Sequence, residues 1–164
     1  MTEDSPVQPV EIRAAEVSDA DAIHSLLMSF AREQLVLPRP KSDILERIRN
    51  FRVILSGGKL AGFSALRDYG NGLYEVRSLV VAREFQHAGL ASMLVTSQIE
   101  TVRAKGQPAR IFALTYREHF FNRLGFVTVG KHLFPEKIWS DCEQCPKKNK
   151  CDETAVLLLV NQER

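Results

Sequence analysis

The sequence has no run of about 18 consecutive apolar residues and almost no net charge, and each absence excludes a class of protein. A membrane-spanning helix needs such a run, and the opening Met-Thr-Glu-Asp-Ser-Pro does not resemble a signal peptide. A net charge of +2 over 164 residues is too small for a nucleic-acid-binding surface. We therefore expect a cytoplasmic protein with neither a membrane nor a nucleic acid as partner.

The sequence also has no internal repeat, no low-complexity tract and no shift in composition that would mark a domain boundary. Its apolar content of 45% and charged content of 26% are those of an ordinary globular protein. Residues 1–9 are mostly polar, contain two prolines, and are predicted to be a disordered lead. Residues 10–164 are predicted to form one domain.

The stretch from residue 74 to residue 106 predicts a buried strand, a short loop and an amphipathic helix. Small residues at Ala88, Gly89 and Ala91 let the backbone approach a ligand closely. The first amides of the helix have no partner within it, and the positive end of its dipole favours a phosphate. The pattern indicates a pyrophosphate-bearing cofactor, although small residues can also serve close packing alone. Along the helix, one face is predicted to carry Leu90, Met93, Leu94 and Ser97.

The remaining elements are predicted from periodicity and turn residues. They are a strand over 10–17, a helix capped by Ser18 and ending near Glu33, a second helix capped by Ser42, strands over 51–55 and 60–66 around a Gly57-Gly58 turn, a turn over 68–72, a strand over 109–115, a helix over 118–124, and strands over 126–129 and 154–160.

Two motifs carry a resemblance to a known family. Gln86-x-x-Gly89-x-Ala91 resembles the pyrophosphate loop of the GNAT family of N-acetyltransferases, and residues 120–126 resemble its second signature, F-Y-x-x-x-G-F. The predicted order of elements is also that family's. The resemblance implies an α/β fold with a mixed, mostly antiparallel sheet, a splayed parallel pair at the fourth and fifth strands and flanking helices, and it implies acetyl-coenzyme A as cosubstrate.

The same resemblance assigns residues to the cofactor. Backbone groups of the central strand are expected to run beside the pantetheine arm, the loop is expected to hold the pyrophosphate, and one side chain of the second signature is expected to reach back to the cofactor. The strand residues are Leu79, Val80 and Val81, and the side chain of the second signature is that of Asn122. The loop residues are Gln86, His87, Ala88, Gly89, Leu90 and Ala91.

Acetyl transfer needs a base for the amine and a proton for the leaving thiolate. Glu75 resembles the general-base glutamate of several family members and shares a strand face with Arg77. Alternatively, these two side chains merely pair with each other or with solvent. The family's usual acid is the tyrosine of F-Y-x-x-x-G-F, and Phe121 stands there. Water or Tyr116 could replace it, or protonation could follow bond cleavage.

The segment over residues 133–155 narrows the resemblance to short, single-domain bacterial N-acetylglutamate synthases. It contains Lys-Ile-Trp-Ser-Asp-Cys followed by Cys-Pro and Cys-Asp-Glu. The likeness implies L-glutamate as acceptor and arginine biosynthesis as the pathway. Because glutamate brings two carboxylates, its pocket needs cationic groups, and Arg77, Arg39 and Lys137 are the candidates.

Three cysteines with C-x2-C-x5-C spacing, Cys142, Cys145 and Cys151, leave a metal site open. With Asp141, Asp152 or His132 they could hold zinc, but the usual second pair of ligands is absent. Small buried hydrophobes, a disulfide and a thiol near the slot are the alternatives.

The resemblance therefore implies acetyl transfer to the α-amine of L-glutamate. Direct attack is expected rather than an acetyl-enzyme, since no cysteine or serine sits in a recognisable nucleophile–base arrangement. Two alternatives remain: the same chemistry on another small amine or on a protein amino group, and a non-catalytic acyl-coenzyme A sensor, which Phe121 favours. Family members often dimerise through their C-terminal strands, so a homodimer is a further expectation.

Overall fold

A computed structural model describes residues 9–36, 38–130 and 154–162. Its helices and strands follow the predicted order. They are β1 (Val10–Ala14), α1 (Ala20–Ala31), α2 (Lys41–Glu46), β2 (Phe51–Ser56), β3 (Lys59–Gly70), β4 (Leu73–Val81), α3 (Leu90–Arg103), β5 (Ala109–Thr115), α4 (Glu118–Arg123), β6 (Val127–Val129) and β7 (Thr154–Val160). Short 3-10 turns cover Val17–Asp19, Ile48–Asn50 and Arg83–Phe85.

The seven strands form one mixed sheet in the order β1-β2-β3-β4-β5-β7-β6. The β1–β2, β2–β3, β5–β7 and β7–β6 pairs are antiparallel, whereas β4 and β5 are parallel. The predicted fold class, with its parallel fourth and fifth strands and flanking helices, is confirmed.

The chain divides into two compact units. Unit 1 comprises Met1–Leu66 and Ser78–Gln98, and unit 2 comprises Arg67–Arg77 and Ile99–Arg164. Three elements, β3, β4 and α3, pass from one unit into the other. Most of the predicted lead lies outside the described residues, so both it and the single domain stay predictions.

Unit 1 has an apolar core on each face of its strands. On one face, α1 and α2 bury Ile23, Leu27 and Ile44 against β2 and β3, where the rings of Phe51 and Phe63 lie 5.9 Å apart. On the other, α3 packs against the sheet through the cluster of Ile54, Ala61, Val81, Leu90 and Leu94.

The inward face of α3 differs in part from the prediction. Leu90 and Leu94 are buried as expected, but Met93 is 41% exposed. Val95 and Gln98, which were not assigned to this face, are buried. Gln98 is polar and was not assigned to the core. Its amide donates to the carbonyl and hydroxyl oxygens of Ser64 at 3.2 and 3.0 Å, which satisfies the buried group.

The start of α1 also corrects the prediction, which put the cap at Ser18 with Asp21. The capping box forms two residues earlier, between Glu16 and Asp19, at the 3-10 turn that leads into α1. The Asp19 carboxylate accepts from the Glu16 amide at 2.7 Å and from both terminal nitrogens of Arg13 at 2.7 and 3.0 Å. These bonds hold the pKa of Asp19 below its usual value. The predicted first strand correspondingly ends at Ala14 rather than at residue 17.

In unit 2, β3 continues through residues that were predicted to form a turn. The strand extends to Gly70, and the reversal is confined to Asn71 and Gly72, both with positive φ. Tyr69 thereby becomes a strand residue that packs with Leu73 and Phe112. The predicted Gly57-Gly58 turn is confirmed, with φ of 59° and 82°.

Candidate active site

The predicted cofactor loop connects β4 to α3 in unit 1. The Gln86 side chain donates to the carbonyl oxygen of Val81 at 3.0 Å, which ties the start of the loop to the end of the strand. Gly89 is the last residue before α3, and its carbonyl accepts the first helical bond from Met93 at 3.1 Å. Its φ of 80° is a left-handed conformation that glycine adopts without cost. Only a glycine fits this position without strain.

The 3-10 turn before the loop is fixed by ion pairs on both sides. Arg83 pairs with Glu33, which follows α1, and stacks over the Phe30 ring at 5.3 Å. Glu84 accepts from Lys59 of β3 at 2.9 Å, and this bond holds the pKa of Glu84 below its ordinary value. Exposed pairs contribute little stability singly, but two on opposite sides restrict where the loop can lie.

The loop fits a pyrophosphate by its own geometry. Residues 86–89 are exposed, whereas Leu90 is buried and anchors the helix start. A Cβ built on Gly89 would have no heavy atom within 4 Å, so there is open space beside the backbone. The amides of the first helical turn point out of the helix toward its positive end, where an anion is stabilised.

The part of β4 predicted to lie beside the pantetheine arm has an interrupted alternation. Ser78 has a φ of 54° within the strand. Beyond it, Leu79 and Val81 pack with the α3 cluster, and Val80 packs with the α1 cluster. Gly62 of β3 permits the close approach of β4, because a Cβ there would lie 2.6 Å from the Val80 carbonyl oxygen.

The parallel pairing of β4 with β5 covers a short register. It joins Leu73 to Arg110, Tyr74 to Ile111 and Glu75 to Phe112. Past this last pair, β4 continues to Val81 and β5 to Thr115. Glu75 therefore lies at the last paired position of the two strands.

The predicted base Glu75 is 2% exposed. A buried carboxylate needs hydrogen-bond donors to offset its lost hydration, and the Tyr69 hydroxyl donates to its Oε1 at 2.7 Å. The Tyr69 ring lies 5.9 Å from the Phe112 ring and 4.6 Å from the guanidinium of Arg67. Sequence reasoning missed Tyr69, because it lies in a Tyr-Gly-Asn-Gly stretch typical of turns.

The two aromatic positions considered for the acid differ in exposure. Phe121 is 4% exposed and makes edge contacts with Phe120 and Phe126, at 5.0 and 5.2 Å between ring centroids. It is a core residue. Tyr116, directly after β5, is 52% exposed. The side-chain amide of Asn122, in α4, donates to the Phe126 carbonyl oxygen at 3.0 Å. Its predicted contact with the cofactor stays a prediction.

The predicted substrate cations are distributed along the chain. Arg77 lies in the unit 2 part of β4, and Arg39 lies in unit 1 in the connection between α1 and α2. Lys137 lies outside the described residues, as do Cys142, Cys145 and Cys151 with the companion ligands considered for zinc. Among residues 9–36, 38–130 and 154–162, no group of three metal-ligating side chains is placed to hold an ion.

The chain is similar in sequence to known acetyltransferases. The sequence profile of the acetyltransferase (GNAT) family matches residues 20–126. An uncharacterized N-acetyltransferase of Chlorobaculum tepidum is 37% identical over 93% of this chain and 97% of its own length. An amino-acid acetyltransferase of Shewanella oneidensis is 29% identical over 77% of this chain, but the match spans only 28% of that longer protein. An amino-acid acetyltransferase of Mycobacterium tuberculosis is 28% identical over 72% of this chain and 68% of its own.

Solved structures show the same fold. The N-acetylglutamate synthase of Neisseria gonorrhoeae, complexed with coenzyme A and N-acetyl-glutamate, superposes with a TM-score of 0.81 at 24% identity, over 94% of this chain and 36% of that one. A Mycobacterium tuberculosis protein in complex with CoA superposes with a TM-score of 0.77 at 25% identity, over 92% and 99% of the two chains.

Both the strand–loop–helix and the order of elements are therefore those of a known enzyme family, and the predicted cosubstrate, acetyl-coenzyme A, is the one that this family uses. Within the described part of the chain, none of the helices has the length and apolar character needed to span a bilayer. The chain belongs to the GNAT family of acetyltransferases.

Proposed function

We propose that this protein transfers the acetyl group of acetyl-coenzyme A to the α-amine of a free amino acid, with L-glutamate as the acceptor. The observation that carries the proposal is the buried Glu75 carboxylate, held by Tyr69 at the last paired position of β4 and β5. Relatives named amino-acid acetyltransferase support the acceptor class. The reaction would be the first step of arginine biosynthesis, and we place it in the cytoplasm.

The proposed chemistry is a direct attack. Acetyl-coenzyme A supplies an acetyl thioester, with its pyrophosphate on the loop over residues 86–91 and its pantetheine arm beside Leu79 and Val81. Glu75 accepts a proton from the substrate ammonium group, directly or through water. The neutral amine then attacks the thioester carbonyl, the carbon–sulfur bond breaks, the new amide nitrogen gives up its extra proton, and the thiolate takes up a proton.

Two aromatic residues, Phe121 and Tyr116, bear on which group supplies that last proton. Phe121 is a buried phenyl ring without a proton to donate. Tyr116 has a hydroxyl and is exposed, so it remains our candidate for the acid, with water as the alternative.

Recognition of L-glutamate requires donors for two carboxylates. We assign this role to Arg77, whose position shares a strand face with Glu75 two residues away, and to Arg39 and Lys137. Arginine suits a carboxylate because its planar fork donates two parallel hydrogen bonds.

A second candidate function is a non-catalytic sensor of acyl-coenzyme A. The specific observation in its favour is the Phe121 ring, which stands in the core where the family's usual acid would stand. A sensor would bind the cofactor and release no thiol with any acceptor. Acetylation of another small amine or of a protein amino group is the enzymatic alternative.

The deciding experiment is thiol release from acetyl-coenzyme A by the purified full-length protein with each standard amino acid in turn. We expect turnover confined largely to L-glutamate, and we expect Arg77→Ala to lower kcat/KM at least about a hundredfold, since it removes a charged partner of a carboxylate. Arg49→Ala, an exposed arginine in unit 1, is the matched control and should change little.

Three other results would revise the proposal. Turnover with a different amine would keep the enzyme class and reject glutamate. Cofactor binding without turnover of any amino acid or protein amine would favour the sensor. Equal losses in the two arginine variants would reject the role of Arg77.

A further inference from the structure

The contact between Tyr69 and Glu75 goes beyond what the family pattern assigned. The hydroxyl donates to a carboxylate that is 2% exposed, across 2.7 Å. This distance is that of a well-formed O–H···O hydrogen bond, which is stronger when the accepting oxygen is ionised. Such a bond stabilises the ionised carboxylate and fixes the direction of its oxygens.

The Tyr69 side chain is itself held in place. Its ring packs in the cluster of Leu73, Phe112 and Ala155, with the Phe112 ring centroid at 5.9 Å and a tilt of 32°. The Arg67 guanidinium lies over the same ring, 4.6 Å from its centroid. A phenol packed in this way has little freedom, so its hydroxyl sets the position of the Glu75 carboxylate rather than following it.

Other charged groups lie on the strands around this pair. Arg67 and Tyr69 belong to β3, Arg77 lies two residues along β4 from Glu75, and Arg110 belongs to β5, in register with Leu73. All three arginines are charged at every working pH. The bond from Tyr69 is the contribution that a single-atom substitution can remove.

We propose that Tyr69 is a positioning residue that fixes the Glu75 carboxylate and thereby sets the pH range over which the acceptor amine is activated. The proposal rests on the proposed function, because it assumes that Glu75 is the base. Removing the hydroxyl takes a donor from the ionised form, so Glu75 becomes harder to deprotonate. The carboxylate needed for catalysis then exists only at higher pH.

Tyr74 provides a matched control in the same unit. It lies on β4 next to Glu75, so its side chain points to the other face of the strand. There it lines a cleft of about 410 Å³ with Asp68, Val102 and Lys105. Burial, and secondarily Asp68, raise the pKa of Tyr74. Tyr74→Phe makes the same chemical change without touching the Glu75 carboxylate.

The experiment compares wild type, Tyr69→Phe and Tyr74→Phe by two readouts. The first is the titration of the Glu75 carboxyl carbon by ¹³C NMR in glutamate-labelled protein, with the signal assigned by Glu75→Gln. The second is the pH profile of kcat/KM with whichever acceptor the wild type turns over. We expect the Glu75 midpoint and the acidic limb of the profile to rise together by about one pH unit in Tyr69→Phe.

At pH values below both limbs, Tyr69→Phe should lose about tenfold in kcat/KM, because one unit is a tenfold change in the ionised fraction. Activity should recover at high pH, and the KM for acetyl-coenzyme A should not change. A loss of the same size at every pH, or the same shift in Tyr74→Phe, would overturn the proposal.

The NMR readout separates this inference from the proposed function. An unmoved Glu75 midpoint in Tyr69→Phe overturns the inference even when L-glutamate is the acceptor. A raised midpoint supports the fixing role of Tyr69 even in a protein without turnover. Full activity of Glu75→Gln would overturn the link to catalysis.

Discussion

The candidate cofactor loop of unit 1 and the candidate acceptor residues of unit 2 differ in what they offer a ligand. The cofactor loop in unit 1 offers backbone amides at the start of α3, and its side chains mostly hold the loop in place, as Gln86 does with Val81. The acceptor part in unit 2 offers side chains, above all Glu75, held by Tyr69 from the neighbouring strand. One part depends on backbone shape and the other on cross-strand contacts.

This difference decides what each part tolerates. A backbone site tolerates new side chains at an exposed position such as Ala88, but not a change of backbone conformation at His87 or Gly89, whose φ values are 67° and 80°. A site built from side chains, by contrast, fails when one functional atom is replaced. Two substitutions test this contrast, and a third, at Asp19 outside both parts, tests stability alone; they follow in order of the effect expected.

Glu75→Gln should have the largest effect and should affect the acceptor part alone. The amide keeps an oxygen that can accept from Tyr69, but it cannot take a proton from the substrate. We expect kcat to fall at least about a hundredfold, in the range for loss of a general base. Calorimetry should show coenzyme A affinity unchanged. Glu46→Gln, at an exposed position of α2, is the control; equal activity of the two variants would remove Glu75 from the mechanism.

Gly89→Ala should weaken cofactor binding at the loop before α3. Because φ is 80°, an alanine there is strained by about 1 kcal/mol. Relief of the strain would rotate the first amides of α3, so we expect coenzyme A affinity to fall about tenfold. Gly58→Ala is closely matched, with a φ of 82° and equally open surroundings. It should cost similar stability in urea denaturation and leave affinity intact; weaker binding in both variants would trace the loss to general destabilisation.

Asp19→Asn should have the smallest effect on activity and act on stability alone. The substitution removes the charge that Arg13 and the Glu16 amide bind, so unfolding should become easier by about 1 kcal/mol at neutral pH. Since the folded pKa of Asp19 is lowered, this contribution is present above about pH 4 and is lost as the pH falls through the folded pKa.

Urea denaturation at pH 7 and pH 3 measures the difference between wild type and Asp19→Asn, which should shrink at the lower pH. Asp21→Asn is the control. Its carboxylate pairs with Lys41 at an exposed site, where such pairs contribute little. A destabilisation by Asp19→Asn that is the same at both pH values would contradict the role of its charge.

The backbone part of the site was the more predictable from sequence. The position of small residues between an apolar strand and an amphipathic helix can be predicted from the neighbouring sequence alone. Gln86 to Ala91 lie, as predicted, between β4 and the first turn of α3. The order of elements was predictable for the same reason, since each has its own periodicity. Tyr69 was not, because its role depends on how far β3 extends before Asn71 reverses the chain, and the glycines around it favoured a turn.

Two smaller errors have the same origin. Met93 fits the periodicity of the buried face of α3 but is exposed, whereas Gln98 is polar but finds a partner in Ser64 across 34 residues of sequence. The cap of α1 was assigned to Ser18, but Asp19 has Arg13 on the preceding strand as an additional partner. Periodicity and local spacing cannot report partners that the fold brings from elsewhere.

The left-handed Ser78 changes which residues of β4 face α3. Before Ser78, the even-numbered Tyr74 lies beside Val102 of α3; after it, the odd-numbered Leu79 and Val81 pack with the same helix. If Ser78 took up ordinary extended backbone, the alternation would continue unbroken and would turn that last apolar pair away from the helix. Ser78→Gly should be tolerated, because glycine adopts this conformation freely.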